Sequence, residues 1–173
     1  MTAVLRSLLF VPAGRERMLE HALTARADAL VLDLEDAVPA RQKGAARALA
    51  RRWIPRLAKK SRPVFVRVNG LRGGLTRDDL LSVVSKQLAG VVLPKTESPQ
   101  DLRDIDVLLR EAELAAGVRP GDVRTGQASN TRPRSAMTVA RSSRRKQIWL
   151  SLGSKTPSWP RSALSTTALR LAR

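Results

Sequence analysis

The chain has 173 residues, enough for one domain of ordinary size, carries a formal net charge of +17 and contains no cysteine. Without cysteine it can form no disulfide, thiolate metal site or cysteine nucleophile, which favours a reducing compartment such as the cytoplasm. The start of the chain contains Arg6 and only a short apolar run, too brief for a signal peptide or a membrane span. We therefore expect no membrane partner.

The positive charge is spread unevenly along the chain. All 15 acidic residues lie at or before Asp122, so residues 125–173 are purely basic in their charge. Such a tail suggests nucleic acid, but three Trp, two Phe and no Tyr leave few platforms for stacking bases. A noncatalytic protein that binds nucleic acid through its basic tail is therefore kept as the alternative interpretation.

Short apolar runs alternate with longer amphipathic segments between residues 7 and 116. The apolar runs are nearly continuous, which is typical of parallel strands covered on both faces, and the amphipathic segments carry apolar residues at helical spacing. The predicted strands are 8–12, 29–34, 64–69 and 90–95, and the predicted helices are 16–25, 40–59, 77–88 and 99–116. Thr76 is predicted to cap the third helix, Ser98 with Pro99 to open the fourth, and Gly117 to end it.

Four βα repeats predict an α/β fold, either a doubly wound sheet or a (β/α)8 barrel. The first strand is followed by Val11-Pro-Ala-Gly-Arg15 and not by a G-x-G-x-x-G turn, so the barrel is favoured. The prediction is an incomplete TIM barrel of four βα units in residues 1–124. In either fold, ligands bind at the carboxyl ends of the strands.

Residues 125–173 contain no Asp or Glu and are rich in Ser, Thr and Arg. This composition predicts an irregular basic tail, largely disordered, which leaves the fourth strand with an open edge and the chain alone poorly soluble. The abrupt change also suggests translation in a shifted reading frame. Translating the other two frames downstream of codon 124 tests that hypothesis, which fails if neither resumes a βα pattern.

Asp33, Glu35 and Asp36 form an acidic cluster at the end of the second predicted strand. Three carboxylates so close repel each other unless a cation or hydrogen-bond donors compensate, which is why such clusters often mark a metal or a catalytic water. The alternative is that Asp36 caps a turn and Glu35 is solvated.

Arg67 interrupts the third strand, where an unpaired guanidinium would be expensive to bury. Its planar fork matches a carboxylate, so it is a candidate to bind a carboxylate substrate or to pair with the acidic cluster. Asn69, two residues on, is predicted to share its face.

Three further cationic side chains complete the candidates. Lys95 ends the fourth strand and either acts on substrate, by charge or as a Schiff base, or pairs with Glu97 or a carboxylate of a neighbouring strand end. Arg15 follows the first strand and either reaches the same rim or is an exposed helix-start residue. His21, the only histidine, falls within the first helix and is assigned no catalytic role.

Four motifs in a fixed order resemble the HpcH/HpaI aldolase and citrate lyase beta-subunit family over about residues 4–122. They are Arg6-Ser-Leu-Leu-Phe-Val-Pro12, Leu32-Asp-Leu-Glu-Asp-Ala-Val38, Val66-Arg-Val-Asn69 and Val92-Leu-Pro-Lys95. The resemblance implies a TIM barrel and a homo-oligomer, a trimer or larger. It also implies magnesium-dependent making or breaking of a carbon–carbon bond in short carboxylic acids, often as coenzyme A thioesters.

The resemblance also implies roles for individual residues. Arg67 would bind the substrate carboxylate, and Glu35 and Asp36 would line the metal site through water. The direct magnesium ligands of the family are a glutamate ending the fifth strand and an aspartate ending the sixth, and no acidic residue follows Asp122. The metal site is therefore expected to be incomplete and activity impaired, unless a separate chain supplies the missing strands.

Overall fold

The computed structural model describes residues 5, 7–59, 62–128 and 147–150. These residues contain six β-strands and four α-helices, with short 3-10 helices at Ala40–Gln42 and Leu71–Gly73. The strands are β1 (Leu8–Pro12), β2 (Ala29–Asp33), β3 (Val64–Arg67), β4 (Gly90–Pro94), β5 (Arg124–Ala128) and β6 (Gln147–Leu150). The helices are α1 (Glu16–Ala22), α2 (Lys43–Ala58), α3 (Thr76–Val83) and α4 (Pro99–Ala115).

The strands form one parallel sheet in which each strand lies beside the strand that precedes it in the chain, in the order β1-β2-β3-β4-β5-β6. A doubly wound sheet reverses its strand order at a switch point, whereas a barrel adds strands in one direction. The order therefore contradicts the doubly wound alternative and agrees with the strand order of a barrel. Among the described residues, β1 and β6 each pair on one side only, so the sheet is open there.

The prediction of an irregular tail that begins at residue 125 and leaves the fourth strand with an open edge was wrong for residues 125–128 and 147–150. β5 pairs with β4 in the register Val91↔Thr125, so β4 is not an edge strand, and β6 pairs with β5. The predicted boundary between residues 124 and 125 falls inside β5. The disorder predicted for the remainder of the tail lies outside the described residues.

Two apolar clusters lie on opposite faces of the sheet. The larger contains buried residues of all four helices, among them Leu19, Ile54, Leu80 and Ile105, together with alternate strand residues such as Leu30. The smaller cluster contains Leu5, Ala29, Val31, Phe65 and Val92. All four helices thus pack on one face, and the opposite face corresponds to the inside of a barrel.

The predicted helix boundaries are partly confirmed. Ser98 caps α4, with its hydroxyl accepting from the backbone N–H of Asp101, and Gly117 follows the helix with a φ of +64°. Thr76 does not cap α3 but is its first residue, and its hydroxyl donates to the Asn69 carbonyl at 2.9 Å. α3 ends at Val83 because Val84 is extended, not at residue 88 as predicted. No helix of the described residues is both long and apolar enough to cross a membrane.

Gly90 begins β4 where two neighbouring strands approach closely. A Cβ atom there would lie 2.6 Å from the Arg124 carbonyl oxygen and 3.0 Å from the Phe65 ring. Glycine is therefore required for β5 to approach β4 over the large Phe65 side chain.

Candidate functional site at the carboxyl edge of the sheet

Arg67 and Asp33 meet at the carboxyl ends of β3 and β2, where they are register partners. Nε of Arg67 donates to Oδ1 of Asp33 at 2.8 Å, and Nη2 donates to Oδ2 at 2.6 Å. The guanidinium carbon lies 5.4 Å from the centroid of the Phe10 ring. This bidentate ion pair confirms the predicted pairing of Arg67 with the acidic cluster. The guanidinium lies on the inner face of the sheet.

Glu35 is buried between two cations just beyond β2. Its Oε1 lies 2.9 Å from Nζ of Lys95, and its Oε2 lies 3.3 Å from Nη1 of Arg67 without accepting a hydrogen bond. Asp36 is exposed and lies 3.6 Å from both Arg67 and Lys95. The acidic cluster is therefore neutralised by side chains from the two following strands, and the alternative of a solvated Glu35 was wrong.

Lys95 adopts an unusual backbone conformation at the end of β4. Its φ of +51° lies in the left-handed region that residues other than glycine rarely occupy. Its ammonium pairs with Glu35, while Glu97 pairs with Arg72, so of the two predicted partners the neighbouring strand-end carboxylate is correct.

Both cations are held firmly in their charged form. The pKa of Lys95 is raised, first by its hydrogen bond with Glu35 and then by the charges of Glu35 and Asp36. Burial lowers the pKa of Arg67, but the hydrogen bond with Asp33 and the neighbouring carboxylates outweigh it and raise the pKa overall. Neutral lysine, which Schiff-base chemistry needs, is therefore disfavoured at Lys95.

A cleft of about 380 Å³ opens behind Glu35, between the loops that follow β2, β3 and β4. Glu35, Asp36 and Lys95 line it, and Arg67 and Arg15 do not. Arg15 is the exposed residue before α1, which agrees with the simpler of its two interpretations. His21 is an exposed residue of α1, away from the strand ends.

Two buried charged residues were not predicted from the sequence: Lys43, which lines the cleft, and Asp79. Nζ of Lys43 donates to the carbonyls of Leu34 and Glu35 at 2.5 and 2.6 Å. Asp79 accepts from the side chain of Asn69 at 2.6 Å, so Asn69 turns toward α3 and does not join Arg67 as predicted. A signal did exist, because both charged residues occupy positions on the apolar stripes of their helices.

The described residues do not fit a magnesium site. Each carboxylate of the acidic cluster faces Arg67 or Lys95, and no group of three or more metal-ligating side chains gathers anywhere in the described residues. The sequence after Asp122 holds no further carboxylate to complete such a site.

A parallel sheet that grows in one direction, with helices on one face and charged side chains at its carboxyl edge, defines a protein of the β/α-barrel type. The sequence profile of the HpcH/HpaI aldolase/citrate lyase family matches residues 6–143. The chain belongs to this family. The match continues past residue 122, where the resemblance in the sequence motifs ends.

Three known proteins illustrate the relationship. Citrate lyase subunit beta of Haemophilus influenzae is 38% identical over 119 residues, which are 69% of this chain and 41% of that protein. A (3S)-malyl-CoA thioesterase of Cereibacter sphaeroides is 35% identical over 111 residues, 64% of this chain and 39% of that protein. The structure of protein CitE from Mycobacterium tuberculosis in complex with magnesium and pyruvate superposes with a TM-score of 0.50 at 26% identity, covering 78% of this chain and 63% of that chain.

The chain thus spans about two fifths of the length of these curated relatives. Lyases and thioesterases both occur among its relatives, so the family is established more firmly than the reaction. The alternative of a nucleic-acid-binding protein gains no support from these matches.

Proposed function

We propose that this chain forms the substrate-carboxylate half of a carbon–carbon lyase or aldolase that acts on short carboxylic acids or their coenzyme A thioesters. The main observation in support of the proposal is the bidentate Arg67–Asp33 ion pair at the carboxyl edge of the sheet. Such a pair already has the geometry that a bound substrate carboxylate needs, with Asp33 in the place of the substrate.

In this proposal, the carboxylate of the substrate replaces the carboxylate of Asp33 at the Arg67 guanidinium. An arriving acid displaces Asp33 from one or both guanidinium nitrogens, while Glu35 and Asp36 keep neighbouring positive charge balanced. Lys95 adds a second positive charge on the other side of Glu35. The exchange leaves Asp33, whose side chain is only 6% exposed, without its guanidinium partner, and that cost offsets much of the new pair, so we expect weak binding of short monocarboxylates.

Glu35 and Asp36 are the proposed catalytic residues. Glu35 is buried and has one carboxylate oxygen without a hydrogen bond, so it is placed to take or return a proton at a substrate held on Arg67. Asp36 is exposed at the rim, where it can hold a water against the same cations. Arg15, exposed beyond β1, belongs to the proposal only as an outer contact for a longer substrate.

The CitE structure holds magnesium, and no step here is assigned to the ion. Because the three carboxylates of the acidic cluster are all paired with Arg67 or Lys95, we expect this chain alone to turn over substrate weakly or not at all. A second chain that supplies the missing strands and acidic ligands would restore magnesium-dependent turnover on mixing.

The test measures the binding of pyruvate to the full chain by NMR chemical-shift titration, with and without Mg²⁺. Wild type is expected to show saturable shifts near Arg67, and Arg67→Met is expected to abolish them. The matched control is Arg110→Met, because Arg110 is an exposed arginine of α4. Equal binding by wild type and the Arg67 variant would contradict the proposal.

A further inference from the structure

The turn that carries Glu35 is held from beneath by a buried polar network. Leu34 and Glu35 lie just beyond the last residue of β2, so their carbonyl groups have left the ladder of strand hydrogen bonds. Buried carbonyls that leave a ladder require other donors. The Leu34 carbonyl finds them on α2 and on the loop after β3, and the Glu35 carbonyl finds one on α2 beside the backbone N–H of Val38 in its own turn, at 3.3 Å.

Lys43 supplies the main donor. Its ammonium reaches both carbonyls, that of Leu34 at 2.5 Å and that of Glu35 at 2.6 Å, and its side chain is almost fully buried in the first turn of α2. Nδ2 of Asn69 donates to the same Leu34 carbonyl at 3.2 Å. Lys43 and Asn69 thus both donate to the backbone of the turn that carries Glu35.

Asp79 anchors the second half of this network. It is fully buried, and Oδ2 accepts from both the backbone N–H and the side-chain amide of Asn69 at 2.7 and 2.6 Å. Oδ1 accepts from Nε of Arg47, one helical turn beyond Lys43 on α2, at 2.7 Å. The hydrogen bonds therefore run continuously from α3 through Asn69 to the turn after β2 and back to α2.

Burying the charged ammonium of Lys43 costs desolvation free energy, although it provides donors to two carbonyls. Burial lowers the pKa of Lys43, and the charges of Asp79 and of the acidic cluster oppose that effect. Apolar packing often stabilises a protein as well as a buried charge does, so we take the two carbonyls bound by Lys43 as the reason for the lysine.

We infer that Lys43, acting with Asn69 and Asp79, is a positioning residue that holds the turn after β2 so that the Glu35 carboxylate meets Lys95 and Arg67. The inference rests on the proposed function for the role of Glu35. The geometry that it explains, the distances from the Glu35 carboxylate to Lys95 and Arg67, does not depend on a substrate.

The test uses the full chain labelled with ¹⁵N and ¹³C at lysine and follows the titration of Lys95 by NMR. In Lys43→Met, which keeps an unbranched side chain as far as the ε position and removes the ammonium donor, the raised pKa of Lys95 is expected to fall toward its ordinary value. The control Lys86→Met removes an exposed lysine near the opposite end of the sheet and is expected to leave Lys95 unchanged. A folded Lys43→Met chain with an unchanged Lys95 titration overturns the inference.

Two further measurements keep the inference testable if that variant does not fold. Asn69→Ala removes the second donor to the Leu34 carbonyl and is expected to shift Lys95 in the same direction by a smaller amount. In the wild type, the ammonium protons of Lys43 are expected to exchange with water more slowly than those of Lys86, because they are buried and hydrogen-bonded. Equally fast exchange at the two lysines overturns the inference without any variant.

These readouts separate the inference from the proposed function. Loss of pyruvate binding in the wild type would refute the proposed function and leave the Lys95 titration meaningful. An unchanged Lys95 titration beside normal pyruvate binding would refute the positioning role alone.

Discussion

Replacing Arg67 with methionine removes the cation that faces all three carboxylates of the acidic cluster. The side chains of Asp33 and Glu35 are only 6% and 9% exposed, so water cannot replace the lost partner. Removing one member of a buried pair typically destabilises a protein by about 3–5 kcal/mol, whereas an exposed pair is worth about 0–1 kcal/mol. We expect the free energy of unfolding to fall by an amount within the first range.

The partner variant Asp33→Asn should be milder, at about 1–3 kcal/mol, because Arg67 keeps Glu35 and Asp36 as neighbours. The double variant should lose less than the sum, with a coupling energy of about 1–3 kcal/mol for residues in direct contact. Urea unfolding of the full chain measures all four free energies, and Arg110→Met, an exposed change, should stay within about 0.5 kcal/mol. A loss below about 1 kcal/mol for Arg67→Met, or strict additivity, would refute the reasoning.

Three other predictions can be checked by the same unfolding assay. Gly90→Ala should destabilise the chain by about 1–3 kcal/mol, because its Cβ would lie 2.6 Å from a backbone carbonyl oxygen of β5, whereas Gly44→Ala, with open space on α2, should be neutral or stabilising. Glu113→Gln should lower the free energy of unfolding by about 1–3 kcal/mol, because one of the two buried oxygens that accept backbone N–H groups ahead of β5 becomes a donor. The pKa of Asp101 is lowered, chiefly by the hydrogen bond from the backbone N–H of Glu97. The ionised carboxylate therefore adds to the free energy of unfolding above the pH range in which carboxyl groups ordinarily titrate, and this stabilisation is lost as the pH falls through the lowered pKa. In Asp101→Asn, the free energy of unfolding should fall less steeply on the acid side.

The prediction of the fold from sequence succeeded where burial leaves a compositional trace. β2 and β4 are buried at every position, and their nearly continuous apolar residues identified them. β5 has the sequence Arg-Thr-Gly-Gln-Ala, without such a run, and its place is set by backbone pairing with β4. A strand of that composition gives no periodic signal, and for this reason the pattern wrongly ended at Arg124.

Some features of the candidate site could also be predicted from the sequence, and others could not. Charged residues inside apolar strands, such as Arg67, are visible in the sequence because burial of a charge is unusual. The choice of Glu35 over Glu97 as the partner of Lys95 depends on how neighbouring strands align, which spacing along the chain does not specify. The position of Lys43 on the apolar stripe of α2 indicates burial, but its partners are backbone carbonyls, which the sequence does not identify.

The sequential order of the strands also has a consequence for how the chain is made. Each strand of the sheet pairs with the strand immediately before it, so every βα unit finds its docking surface already synthesised when it leaves the ribosome. The pairing of β1 to β4 and the packing of the four helices therefore do not depend on β5, which follows them in the chain. Growth by addition at one edge means that, until the next strand emerges, the newest strand always presents unpaired backbone groups to the cell.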